Sequence, residues 1–298
     1  MTFPDPILRV MTWNLWWRFG EWQRRQDSIA EVLRMSAPDI LGLQEVWATP
    51  TENQAQALAD MFQMHMAWCP SPAPEPFQRR LGDRSVVVGN AILSRWPITH
   101  TSKCALPTGV GDVGRTALFA QIAAPTGPVP FFTTQLTSTV GQSALRCDQV
   151  RALAEFVVAE IPENANPVLT GDFNAEPDSD EIRLLGGHKT TPAVPGLALV
   201  DAWLYADPAA PGWTWDSRNP AVWATGEPDA RCDYVFIGYR PIYRTVPRVL
   251  NASLVGNERI DGAWPSDHAA VIAELEMDLE DKTFDGAASS LVEDHLRR

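Results

Sequence analysis

Long apolar runs, paired cysteines and positive charge are all scarce in this 298-residue chain. No apolar run approaches the ~18 residues that a bilayer-spanning helix requires, so a helical membrane span is not expected. The opening Met1-Thr2-Phe3-Pro4-Asp5 lacks the basic start and apolar stretch of a secretory signal. Four cysteines (Cys69, Cys104, Cys147, Cys232) are scattered without paired-ligand spacing. They read as buried or incidental thiols in a reducing compartment, not as a disulfide frame or zinc site, and a cytoplasmic location is expected. Lysine is rare, arginine is dispersed, and the formal net charge is −13. So negative a surface repels polyphosphates and nucleic acid unless cations or a local basic patch intervene. The acidity is partly terminal: from Glu274 to Arg298 eight acids face three bases, a net of −5, which leaves −8 for the body.

What is present is an ordinary globular composition, 45% hydrophobic and 20% charged, on a chain long enough for a sizeable core. No repeat, low-complexity segment or dividing linker interrupts it. Residues 1–276 are read as one domain and 277–298 as an acidic tail, with an amphipathic stretch around Leu291 and Leu296 that fits a docked or frayed helix. Strand-like runs are Ile7 to Trp13, Ile40 to Gln44, Val86 to Leu93, Thr116 to Ile122, Val129 to Leu136, Val168 to Thr170, Tyr234 to Ile237, Val249 to Leu254 and Ala269 to Leu275. Helical spacing joins Trp22, Ile29, Val32 and Leu33, closed by Pro38, and again joins Val150 through Ile161, ahead of Pro162. Loops are expected at Pro70 to Pro76, Thr108 to Asp112 and Asp207 to Asp229. Helices are too few for every strand to be a parallel crossover, so the expected fold class is α/β with two packed mixed, largely antiparallel sheets and helices outside. Most of the twelve tryptophans are expected to fill that core.

Polar groups gather where those strands end. Val168-Leu169-Thr170-Gly171 runs into Asp172-Phe173-Asn174, where period-2 alternation would send Asp172 and Asn174 to one side and Phe173 to the other. A β-turn would use the same residues. Met11-Thr12-Trp13 ends in Asn14, and Asp39 to Gln44 ends in Glu45. Asp233 opens the strand before Tyr234, and Ser266-Asp267-His268 precedes the last strand. Each has a bland reading: a helix cap, a solvated acid, a turn or a core histidine. Together they are oxygen and imidazole groups suited to a hard cation and to proton transfer.

In order, Thr12-Trp13-Asn14, Leu43-Gln44-Glu45, Gly89 to Arg95, Gly171 to Asn174, Arg231 to Tyr234 and Ser266 to His268 resemble the signature of the endonuclease/exonuclease/phosphatase superfamily. The likeness runs from Arg9 to about Leu275. It implies a four-layered α/β/β/α sandwich with a metal-dependent site at the edge of two sheets. It further implies that Glu45 binds Mg2+ or Mn2+, with Asn14 beside it and Asp267 assisting. Asp172 and Asn174 would then orient or deprotonate water, while His268, steadied by Asp233, would contact the scissile phosphate.

Gln135 stands where many members carry histidine; it can donate an amide hydrogen bond but no proton. Arg146 and Gln149 are expected to be anchors on the following helix. Trp215 and Trp223 lie in a tryptophan-rich stretch that would either stack against a base or apolar leaving group, or pack over the sandwich edge. Arg79, Arg80 and Arg84 would steer a phosphate or lie on a solvated loop. The expected function is a divalent-metal-dependent hydrolase of phosphoric esters, acting on a nucleotide, oligonucleotide, lipid head group or sugar phosphate without an obligate protein partner. The alternative is a catalytically altered scaffold that binds a partner or phosphorylated ligand.

Overall fold

Side chains alternate across a strand, and in this chain one of the two alternating sets turns from apolar to polar along several strands. A computed structural model describes residues 7–162, 165–238 and 247–277. Its strands are β1 (Ile7–Asn14), β2 (Ile40–Ala48), β3 (His65–Pro70), β4 (Val87–Ser94), β5 (Ile98–Ala105), β6 (Thr116–Ala124), β7 (Gly127–Gln135), β8 (Val168–Asp172), β9 (Leu199–Asp201), β10 (Asp233–Gly238), β11 (Arg248–Val255) and β12 (Ala270–Glu276). The helices are α1 (Trp22–Ser36), α2 (Gln54–Phe62), α3 (Glu75–Leu81), α4 (Ser143–Glu160), α5 (Asp180–Gly186) and α6 (Pro220–Trp223), with a 3-10 turn at Ala202–Tyr205. No helix among the described residues is long and apolar enough to cross a membrane.

Two six-stranded sheets form, in the orders β11-β12-β1-β2-β4-β3 and β5-β6-β7-β8-β10-β9. Each has one parallel pair, β1 with β2 and β7 with β8; the other neighbours run antiparallel. Both parallel pairs need a crossover, and α1 and α4 supply them. Between the sheets lie Leu8, Val10, Ile40, Phe131, Val168, Val235, Ile237 and Val271. The opposite faces carry Met11, Trp13, Leu41 and Leu43 against α1 and α2, and Phe132, Leu169, Tyr234 and Phe236 against α4 and α5. The result is the expected α/β/β/α sandwich.

The inward-facing set positions the site. Along β1 it reads Leu8, Val10, Thr12, Asn14; along β7, Phe131, Thr133, Gln135; along β8, Val168, Thr170, Asp172; and along β10, from its far end, Ile237, Val235, Asp233. Register then sets Gln135 opposite Asp172 and Asp172 opposite Asp233. The middle rung must be narrow, because Gln44 Nε2 donates to Thr133 Oγ1 across the gap at 2.8 Å. Gly42 permits this approach: a Cβ there would stand 2.1 Å from Thr170 Oγ1 and 2.6 Å from Thr133 Oγ1.

Three strands were not expected, β3, β5 and β9, and each is a sheet edge. Edge strands bury fewer side chains; β5 has no buried residue, being half-buried or exposed throughout, so no apolar run marks it. The loop expected at Pro70 to Pro76 is cut short by α3, and that at Asp207 to Asp229 contains α6. The helix expected around Leu291 and Leu296 lies outside the described residues. Gly42→Ala should cost about 1–3 kcal/mol by forcing the sheets apart, visible as a lower urea midpoint. A loss below about 0.5 kcal/mol, the usual effect of a surface change, would mean that the sheets do not touch at this rung.

Candidate active site

Asp172 is the hub of the polar end. Its Oδ2 accepts from Asn14 Nδ2 at 3.0 Å, Gln135 Nε2 at 3.1 Å and Asn174 Nδ2 at 3.2 Å, while Oδ1 accepts from the Asn174 backbone N–H at 3.0 Å. Asn174 reaches the same side as Asp172 by a left-handed turn (φ 48°) after β8 has ended, not by continued strand alternation. Its amide also bonds the Leu136 carbonyl, and Phe173 packs into the helix-side core. Burial, then the charge of Asp233, pushes the Asp172 carboxyl up to about 6, against the lowering effect of His268 and the Asn14 and Gln135 amides.

Glu45 arrives by a different route. The expectation that it ends β2 is corrected: the strand continues to Ala48, and its pairing with β4 shifts register between Leu43 and Val46. Glu45 sits in that bulge with φ 51°. Unbroken alternation would aim it with Leu41 and Leu43 at α1; the bulge re-aims it inward. There its Oε1 accepts from Gln135 Nε2 at 2.8 Å, so one amide bridges Glu45 and Asp172.

His268 Nδ1 lies 2.8 Å from Asp233 Oδ2, both buried. Burial alone would draw the imidazole down, but Asp233, Asp172 and Cys232 outweigh it and hold His268 well above the usual value. Its carbonyl accepts from Trp13 Nε1 at 3.0 Å. Ser266 Oγ donates to the Asn14 carbonyl at 2.7 Å, which fixes Asp267 beside β1. Asp267 is pushed up to about 7, first by burial and also by the charge of Glu45, against His268, Arg25 and the Ser266 hydroxyl. Trp215 packs 5.0 Å from the His268 ring, centroid to centroid. Trp223 makes no hydrogen bond or ring contact with this group among the described residues; it is 74% exposed at the end of α6, whose capping Asn219 donates to the Ser266 carbonyl.

Two participants were missed. The sequence pattern assigns Arg25 no role, yet its buried guanidinium donates to the carbonyls of Leu15, Trp16, Trp17, Phe19 and Pro265. Burial lowers it to about 10, opposed by Asp267 and Glu45. An arginine in helical register with Ser28, Ile29 and Val32 on the buried face of α1 was its signal. Cys232, expected to be a buried or incidental thiol, is buried, with its Sγ 3.5 Å from Asp233 Oδ2 and 3.9 Å from His268 Nδ1. No spacing rule could have found it. Arg146 bonds Glu181 and the Thr137 and Thr139 carbonyls, and Gln149 bonds Thr137 and Pro107, so both anchor the loop behind Gln135. Arg80 lies over the Phe19 ring, 4.2 Å from its centroid.

The donor set fits a hard divalent cation. Glu45 and Asp267 are nearly buried and offer oxygen, the charge of Glu45 acts on Asp267, and Asn14, whose carbonyl accepts from Ser266, adds a carboxamide.

A model of the endonuclease/exonuclease/phosphatase family matches residues 11–268. The chain belongs to that family. Its members are phosphoester hydrolases. No curated protein matches the sequence. Among solved structures, D. rerio TDP2 complexed with single strand DNA product is 21% identical, with 91% of this chain and 99% of that one covered at a TM-score of 0.68. The human nocturnin catalytic domain with bound sulfate is 20% identical over 93% of this chain and 97% of that one, TM-score 0.66. A family member from Beutenbergia cavernae DSM 12333 is 23% identical over 91% and 72%, TM-score 0.66. At these identities the likeness is one of fold, and it covers nearly the whole sandwich.

The raised carboxyls fix a sign. A carboxyl that holds its proton more tightly folded than unfolded favours the fold below the ordinary value near 4, and that contribution is lost as pH rises to the folded value. For Asp172 the loss runs to about 6 and for Asp267 to about 7; raised His268 extends the same trend upward. In EDTA, melting temperature should therefore fall from pH 4 to 8, and Asp267→Asn should flatten the fall and be more stable than wild type at pH 8. An Asp267→Asn profile parallel to wild type would contradict this electrostatic picture.

Proposed function

We propose that this family member is a Mg2+- or Mn2+-dependent hydrolase of phosphoric esters that acts by in-line attack of water. The observation that carries the reading is the hydrogen-bonded row in which Asn14 and Glu45 of one sheet face Gln135 and Asp172 of the other, with the Asp233–His268 pair alongside. Asp172, whose proton affinity lies near neutrality, takes the proton of the attacking water, and Asn174 holds the carboxylate in place. His268, fixed in one tautomer by Asp233, donates to a non-bridging phosphoryl oxygen. Glu45, with Asp267 and Asn14, would hold the divalent cation, which when bound supplies positive charge to the phosphoryl oxygens. Gln135 orients Glu45 and Asp172 but has no proton for the departing oxygen. Substrates whose leaving group departs readily as an anion are therefore favoured.

An acidic body with sparse lysine favours a nucleotide, oligonucleotide, lipid head group or sugar phosphate over long duplex DNA. Trp215 beside His268, and Trp223 on the helix tethered to Ser266, would offer a stacking face for a base or apolar leaving group. The single-strand DNA product on a protein of the same fold is compatible with an oligonucleotide. One core shared by both sheets supports a single domain over 1–276, and four free cysteines support a cytoplasmic setting. The competing scaffold reading draws on Gln135; it leaves the burial of four acids unexplained.

Turnover of bis-p-nitrophenyl phosphate should appear with Mg2+ or Mn2+ and vanish in EDTA. Asp172→Ala should lower kcat about 10²–10⁴-fold. Gln135→His should most improve esters with poor leaving groups, flattening the dependence of kcat on leaving-group pKa. Activity that survives Asp172→Ala would overturn the mechanism; inactivity with every divalent metal would favour the scaffold.

A further inference from the structure

We propose that Cys232, Asp233, His268 and Asp172 form a second, inhibitory metal site for a thiophilic divalent cation such as Zn2+, distinct from the oxygen-rich set at Glu45. One ligand atom from each of these four buried residues lies within 4.8 Å of every other. The Sγ–Oδ2 distance of 3.5 Å between Cys232 and Asp233, and the Sγ–Nδ1 distance of 3.9 Å between Cys232 and His268, already span a small cation. Zinc bonds of about 2.0–2.3 Å at tetrahedral angles separate neighbouring donors by about 3.3–3.8 Å. The His268–Asp233 contact of 2.8 Å would open by roughly half an ångström to admit the ion.

A second observation points the same way. Asp233 Oδ1 is buried with no hydrogen-bond partner among the described residues, although buried polar atoms are ordinarily satisfied. The carboxylate thus keeps lone pairs free while its Oδ2 is shared by His268 and the Cys232 thiol. Thiolate, imidazole and carboxylate together suit zinc, whereas Mg2+ takes oxygen. Cys232 is what distinguishes this cluster from the hard-donor set.

Binding forms bonds from zinc to Sγ, to Nδ1 and to carboxylate oxygen. The thiol proton and the Nδ1 proton pass to solvent, and no electron is transferred. The consequence for activity follows from position. Zinc at Nδ1 takes Asp233 away from the imidazole and draws Asp172 from its amides, so both lose the geometry required above. That consequence rests on the proposed hydrolase mechanism; the binding itself does not.

Cobalt and zinc ions alone test it. Co2+ added to the full chain should give a near-ultraviolet sulfur-to-cobalt charge-transfer band that one equivalent of Zn2+ abolishes. Cys232→Ser should lack the band and need at least tenfold more Zn2+ for half-inhibition, measured against its own Mg2+-supported rate. The doubly substituted Cys104→Ser/Cys147→Ser protein, altered at the two more accessible thiols, should keep both band and zinc sensitivity. A band that persists in Cys232→Ser, or equal half-inhibition, overturns the site. If Cys232→Ser does not fold, zinc-edge absorption spectroscopy of the Cys104→Ser/Cys147→Ser protein decides: one sulfur neighbour supports the site and a shell of only nitrogen and oxygen refutes it. An inactive protein that shows the band would refute the hydrolase reading and leave the site standing; an active protein without it refutes the site alone.

Discussion

The clamp on Asp172 Oδ2 is the interaction on which the rest depends. Asn14 reaches it from one sheet, Gln135 and Asn174 from the other. A buried carboxylate without partners is too costly to keep, so these amides make a charge possible where the two sheets meet. They also bind fold to function. The sheets can close on Asp172 because Gly42 leaves room for Thr133 and Thr170 one rung below, and the rung must be closed for a side chain of β1 to touch one of β8.

Electrostatic tension is concentrated in the same place. Asp172, Asp233, Glu45 and Asp267 are all buried or nearly so, against His268 and Arg25. Arg25 spends its hydrogen bonds on five backbone carbonyls, holding the chain after β1 against Pro265 while its charge offsets Asp267 and Glu45. Compensation is incomplete, as the high proton affinities of Asp172 and Asp267 record. An uncompensated acidic pocket is destabilising alone and favourable once a cation enters, which is the arrangement expected where ligand binding and folding are linked.

Much of this was legible in the sequence, for identifiable reasons. Central strands are buried on both faces, so their apolar runs mark them, and the polar residue that ends each inward-facing series marks the candidate site: Asn14 after Thr12, Asp172 after Thr170, Asp233 before Val235. Of the four edge strands only β11 was legible, through the run Val249 to Leu254; β3, β5 and β9 bury too little to leave a pattern. The bulge at Glu45 was hidden as well. Alternation counted along β2 would send that carboxylate toward α1, and nothing local announces a left-handed glutamate. Strand alternation predicts the side on which Asn174 lies, but β8 ends at Asp172 and a left-handed turn brings Asn174 there. Cys232 is brought to His268 only by the pairing of distant segments, which a single sequence does not reveal.

The most direct measurement is anomalous diffraction from crystals of the protein soaked in Mn2+. A single strong peak is expected, bound by a Glu45 oxygen and close to Asp267 and Asn14, with Asp172 still held by its three amides. A peak seated instead among Cys232, Asp233 and His268, or one remote from Glu45, would contradict the assignment of the catalytic cation.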